Sequence, residues 1–182
     1  MPERHVRRAS RDARLYDAVM RFLMRQKVWS FADDFTIKDE AGADVARVVG
    51  RVFSFGDKLT FFDLAGAELA RIEQVMMSWG PTYEIHRGGQ LAAVVKKKLF
   101  TLFRTEFTVD VPGPNDLIAE GDFTDHEYTF QRSGTPVARV SKQWFAWSDT
   151  YGIELADGED PLLIIASTVV IDMVLDRRSD DD

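Results

Sequence analysis

Hydrophobic and polar residues alternate with a period of two along most of the chain. Phe35/Ile37, Tyr83/Ile85, Phe107/Val109, Tyr128/Phe130 and Tyr151/Ile153 fall on one side of their segments, with polar neighbours on the other. That spacing predicts half-buried β-strands. Turn chemistry separates the strands: Gly42, Gly66, Gly89, Gly134, a weaker Gly113 and the pair Asp157-Gly158 stand beside Asp, Asn, Ala or Ser. Such residues accept the positive φ of a hairpin turn cheaply. One stretch breaks the alternation. Pro161 to Leu175 reads PLLIIASTVVIDMVL and is interrupted only by Ser167, Thr168 and Asp172. A segment apolar on every side has to be buried, and fifteen residues fall short of the roughly 20 that span a bilayer as a helix. Pro161 suits a first helical turn with Asp160 as N-cap. The β-branched residues Ile164, Ile165, Val169, Val170 and Ile171 leave a strand open, but a buried helix over 161–175 is the expectation.

The turns belong to a repeat. Phe35 to Val48 aligns with Phe61 to Ile72 through Gly42/Gly66, Val45/Leu69, Ala46/Ala70 and Val48/Ile72, and the phrase returns around Gly89 and Gly134. A second phrase recurs between them: Trp29-Ser-Phe31, Phe53-Ser-Phe55, Met77-Ser-Trp79, Phe100-Thr-Leu102, Phe123-Thr-Asp125 and Phe145-Ala-Trp147, offset by 24, 24, 23, 23 and 22. An acid follows four residues after the first member in four copies, as Asp33, Asp57, Glu127 and Asp149. Each unit is too short for a βαβ crossover and holds about two strands and a turn. Six units therefore predict a mainly β fold of about twelve antiparallel strands, better closed into a barrel than left with free edges. Such a barrel is wider than an eight-stranded one, which its own side chains fill. Only the apolar segment 161–175 can occupy the middle, and a filled lumen argues against a lipocalin-like ligand cavity.

These residues also carry a resemblance. MRQKVWSFADDFTIKDEAG (24–42), FSFGDKLTFFDLAGAELARI (53–72), GDFTDHEYTFQRSG (121–134), VSKQWFAWSDTYGIEL (140–155) and LLIIASTVVID (162–172) resemble the LURP-one-related family. The likeness runs from about Met20 to Asp172. That family stands with the Tubby C-terminal-like and phospholipid scramblase-like proteins. The resemblance implies a twelve-stranded barrel around a central C-terminal helix, and it places Met20 to Val28 in the first strand. Tubby relatives bind phosphoinositides through basic surface residues, and scramblase relatives associate with membranes. No Tubby lipid-site motif aligns residue by residue onto this chain, so no site residue is carried over. The expected organisation is a basic arm over 1–19, one barrel domain over 20–175 and an acidic tail over 176–182.

Composition narrows the function classes. Hydrophobic residues at 45% and charged residues at 29% describe an ordinary folded domain. The absence of cysteine excludes disulfides, thiolate metal sites and cysteine nucleophiles. No secretory leader pattern opens the sequence, so the expected location is cytoplasmic, with peripheral contact to a membrane allowed. The net charge of −7 is uneven. Residues 1–27 hold eight basic side chains against Glu3, Asp12 and Asp17, a net +5 that leaves −12 on the remainder. A basic arm can touch nucleic acid, anionic lipid or an acidic partner. A solvated terminus is the plainer explanation, and nucleic acid is not the expected partner.

Two clusters carry candidate chemistry. Lys96, Lys97 and Lys98 precede Arg104 with no acid between Ala93 and Arg104, and Leu99, Phe100, Leu102 and Phe103 add apolar surface. Basic groups near an anionic leaflet contribute about 1 kcal/mol each, so these four residues form a candidate headgroup site, set against a solvated strand end. His126 lies among Asp122, Asp125 and Glu127, a weak metal or proton-transfer cluster. The repeated acid at Glu127, like Asp33, Asp57 and Asp149, reads better as a hydrogen-bond acceptor in a shared turn. Asp172 inside the apolar helix requires a partner, an Arg or Lys from the wall or a place near the barrel mouth. There is no G-x-S-x-G, GxxxxGK[ST], HExxH or GxGxxG. The expectation is a non-enzymatic binding module without cofactor, presenting its surface to a protein or an anionic headgroup. Scramblase-like lipid handling and an enzyme or metal site around His126 are the alternatives.

Overall fold

The computed structural model describes residues 20–25, 34–53, 56–98, 105–142 and 150–180. Twelve strands follow one another: β1 (Met20–Arg25), β2 (Phe35–Asp39), β3 (Asp44–Phe53), β4 (Gly56–Phe62), β5 (Glu68–Gln74), β6 (Thr82–Arg87), β7 (Gln90–Lys97), β8 (Glu106–Asp110), β9 (Leu117–Asp122), β10 (Glu127–Arg132), β11 (Thr135–Ser141) and β12 (Thr150–Leu155). Each pairs antiparallel with its sequence neighbours. The sheet closes where β1 meets β12, from Met20↔Leu155 to Arg25↔Thr150. The expected twelve-stranded closed barrel is therefore present. Its thinnest seam is β1–β2, paired at Phe22↔Asp39 and Leu23↔Lys38. There Arg21 bridges outside the wall to Glu154 at 2.7 Å and Glu40 at 3.2 Å.

The repeat in the sequence is a repeat in the backbone. Gly42 N donates to the Asp39 carbonyl at 3.0 Å, and Gly66 N donates to that of Asp63 at 3.1 Å. The Asp39 and Asp63 carboxylates accept from Ala43 N and Ala67 N at 2.9 and 2.8 Å. Gly42 and Gly66 hold φ of 81° and 88°, where a Cβ is unfavourable. Bulges at Ile37/Lys38, Phe61/Phe62, Ile85/His86 and Phe130/Gln131 flank four of these hairpins and add the curvature that closure requires.

The C-terminal segment is α1 (Pro161–Asp180), five residues longer than its apolar run. Leu163 to Val174 are buried inside the barrel. Asp160 caps α1 as expected, accepting from Leu162 N at 3.0 Å and Leu163 N at 3.3 Å. The entry is pinned to the wall where Arg87 meets Asp160 and Arg132 meets Glu159. Eight buried Leu, Ile, Val and Met side chains of α1 correspond to about 12–24 kcal/mol of transfer free energy as an upper bound. Inward residues of the strands, such as Ile37, Phe61, Ile85, Phe107, Phe130 and Ile153, are all fully buried around it.

Candidate functional site

The two ends of the barrel differ. The hairpin turns after β2, β4, β6, β8 and β10 lie at one end, where α1 also enters. At the far end the inward positions become polar. Asp57, Tyr83, Tyr128 and Tyr151 are the second residues of β4, β6, β10 and β12, and Lys97 is the last of β7. The alternation turns all five inward, and all are buried. The Tyr83 hydroxyl donates to Asp57 Oδ2 at 3.2 Å, and Lys97 Nζ lies 5.8 Å from the centre of the Phe107 ring.

Asp172 comes to this layer from the helix. Twelve residues into α1, at about 1.5 Å each, it reaches the far end and is only 4% exposed. Its Oδ2 accepts a short hydrogen bond from the Tyr151 hydroxyl, and its Oδ1 faces His126 Nε2 at 3.4 Å. The His126 ring rests on Tyr151 with centroids 4.7 Å apart. Asp172 Oδ1 and His126 Nδ1 are buried and make no hydrogen bond. Burial holds the Tyr128 hydroxyl well above its ordinary pKa near 10, and the Asp172 charge pushes it the same way. The Thr168 hydroxyl opposes that shift without reaching hydrogen-bond geometry. It donates instead to the Ile164 carbonyl at 2.9 Å.

Asp172 thus meets a tyrosine and a histidine rather than the Arg or Lys expected from the wall, the inward residues beside it on β10 and β12 being tyrosines, and it lies toward one end of the barrel, the other place expected for it. His126 leaves its sequence neighbours. The Asp122 carboxylate accepts from Thr124 N and Asp125 N at 3.0 and 3.1 Å. Glu127 accepts from Ser141 Oγ at 2.6 Å and Lys142 N at 2.9 Å, the turn-bracing role its repeat position suggests. Asp125 is exposed. The four do not converge, and among the described residues no group of three or more His, Asp or Glu is placed to hold a metal ion.

The lysine triplet divides as a strand must. Lys96 points outward to Asp110 at 2.6 Å and Lys98 outward to Glu106, whereas Lys97 points into the barrel. Arg104 lies outside the described residues, as do Leu99, Phe100, Leu102, Phe103 and the arm over 1–19.

One exposed feature at the far end was not anticipated. In the β5–β6 connection the Ser78 hydroxyl reaches the carbonyls of Val75 and Gly80 at 3.1 and 2.7 Å, bracing the bend. The side chains on either side of it stand in solvent: Met77 is 98% and Trp79 96% exposed. Met76 is half-exposed, with its sulfur so close over Gly56 that a Cβ there would stand 3.0 Å from it. The equivalent Phe123 is buried, stacked on Phe107 and Tyr128 at 5.1 and 4.7 Å.

Comparison with known proteins agrees with this architecture. The chain is 37% identical over 163 residues to the uncharacterised protein YxjI of Bacillus subtilis, covering 90% of this chain and 98% of that one. A crystal structure of an Arabidopsis thaliana protein superposes with a TM-score of 0.63 at 19% identity, over 87% of this chain and 91% of the other, a likeness of fold. The LURP-one-related family profile matches residues 20–172, and with a twelve-stranded barrel closed on a central helix, the chain belongs to the LURP-one-related family.

Proposed function

We propose that the chain is a non-enzymatic binding module that takes a partner protein at the far end of its barrel. The observation that carries this is the nearly complete exposure of Met77 and Trp79 on a braced connection. A folded chain gains nothing from holding a tryptophan and a methionine in water. Trp is enriched among residues that dominate interfaces, and Met adapts its shape to a partner. Charge favours a protein over an anionic leaflet. Lys96 and Lys98 are each matched by a carboxylate, and Lys97 faces inward. The net −7 opposes approach to a negative surface. Lipid handling of the scramblase kind is less well supported. The outward face carries pairs such as Lys38–Asp44 and Lys58–Glu73 rather than an apolar band, and no helix among the described residues is long and apolar enough to cross a membrane.

The test compares wild type with Met77→Ser/Trp79→Ser and with Lys96→Gln/Lys98→Gln, in affinity capture and in co-sedimentation with phosphatidylserine or phosphoinositide liposomes. The expected result is a captured protein that persists at physiological salt, is lost with the Met77/Trp79 pair and survives the lysine changes. Liposome binding at physiological salt that is lost with the lysine pair would replace this function with a headgroup-binding one.

A further inference from the structure

The contact between His126 and Asp172 joins the turn between β9 and β10 to the helix inside the barrel. The turn is a strained one. His126 has a φ of 53°, a left-handed conformation that costs a side-chain-bearing residue energy. Its own hydrogen bonds are modest, with His126 N donating to the Phe123 carbonyl at 3.3 Å. Beside the bracing of Glu127 by Ser141 and the packing of Phe123 on Phe107, the His126 ring supports this geometry from outside the turn, packed on Tyr151 and facing Asp172 Oδ1 at 3.4 Å.

We propose that this contact is a proton-operated latch: protonated His126 fastens the β9–β10 turn to the central helix, and loss of the proton releases it. An imidazolium facing a carboxylate in a buried site is attracted to it and can donate from Nε2. A neutral imidazole no longer offers Asp172 a positive charge at this contact. The carboxylate is then left with the Tyr151 hydroxyl, a poorly compensated buried charge. The other groups around the pair do not supply that charge. Tyr151 from β12 is a neutral donor, and burial keeps the Tyr128 hydroxyl on β10 neutral. Within the turn, Asp122 and Glu127 are engaged with backbone amides and Ser141, and Asp125 is in solvent. His126 itself is within reach of protons, its side chain being 12% exposed. The direction follows: the latch is closed at acidic pH and opens as pH rises and the imidazole loses its proton.

Amide hydrogen exchange on the full chain at pH 5.5 and pH 8, expressed as protection factors, reads the latch directly. Asp125 and His126 amides are expected to be at least about tenfold better protected at pH 5.5, while Ala67, in the hairpin turn at the other end, shows no such difference. His126→Gln and Asp172→Asn should each remove the difference. Should either variant fail to fold, an NMR titration of wild type decides: the His126 ring and the Asp125 and His126 amides are expected to move with one midpoint. Equal protection at both pH values, a difference that persists in His126→Gln, or turn amides that move independently of the ring would each overturn the latch.

Discussion

Ile171→Ala measures how far the barrel depends on its filling. Ile171 is fully buried in the middle of α1, so truncation removes three methyl or methylene groups from a site with wall on every side. Buried Ile→Ala changes cost about 2–5 kcal/mol, the upper part of that range where the surroundings cannot collapse. A closed sheet bonded all round is poorly able to collapse. Alanine regains a few tenths of a kcal/mol through its better helix propensity. The net expectation is a loss of about 3 kcal/mol, a large share of the 5–15 kcal/mol that holds an ordinary domain. At about 2–4 °C per kcal/mol for a chain of this size, the melting temperature should fall by about 6–12 °C. Calorimetry and urea titration read both quantities, with Leu64→Ala as control. Leu64 is 67% exposed on the β4–β5 turn, and its loss should stay within about 0.5 kcal/mol. An Ile171→Ala effect below about 1 kcal/mol, or a melt in which the helix separates from the barrel as an earlier step, would refute a helix packed as the core.

Two further changes probe the far end. At Gly121, φ is 148° and an added Cβ would lie 2.4 Å from the Glu127 carbonyl oxygen and 2.6 Å from Tyr128 Cα. Gly121→Ala should therefore cost about 2–4 kcal/mol in urea titration, against about 1 kcal/mol for Gly42→Ala, where only backbone strain enters. Tyr128→Phe should stay within about 1 kcal/mol of wild type at pH 7, because the hydroxyl it removes is buried without a partner. At alkaline pH the sign is set by burial, which keeps Tyr128 protonated in the folded chain while an unfolded tyrosine ionises near 10. The folded state then holds the extra proton, so wild-type stability should fall by up to about 1.4 kcal/mol per pH unit above pH 10, and Tyr128→Phe should fall less steeply in the same titration.

Much of the fold was legible because the chain states it six times. Turn glycines, inward tyrosines and phenylalanines, and an apolar segment too short for a membrane together require a barrel with something inside it. The end of α1 was not marked in the same way. Its apolar run stops at Leu175, but the helix continues to Asp180 through polar residues that no periodicity distinguishes from a tail. The lysine triplet obeys a local rule: period-two alternation sends Lys97 inward and separates it from Lys96 and Lys98, so three consecutive charges on a strand are not one patch. The pairing of His126 with Asp172, 46 positions apart, depends on how far along the barrel the helix travels and which of its faces meets β10 and β12. No spacing encodes that. Equivalence within the repeat did not fix burial either. Phe123 sits in a four-residue turn and packs inward, whereas Met77 and Trp79 occupy a longer connection that Ser78, Gly80 and Pro81 shape into an outward bend.

If the far end is the working end, its exposed side chains must be covered when a partner is bound. Hydroxyl-radical footprinting reads Met77 and Trp79 directly, since both are readily oxidised and both stand in water in the free chain. In the complex recovered by affinity capture, Met77 and Trp79 should be protected severalfold relative to the free chain, while Leu64 at the opposite end reacts as before. Protection of Leu64 with Met77 and Trp79 still fully reactive would place the partner at the other end and contradict the proposed binding face.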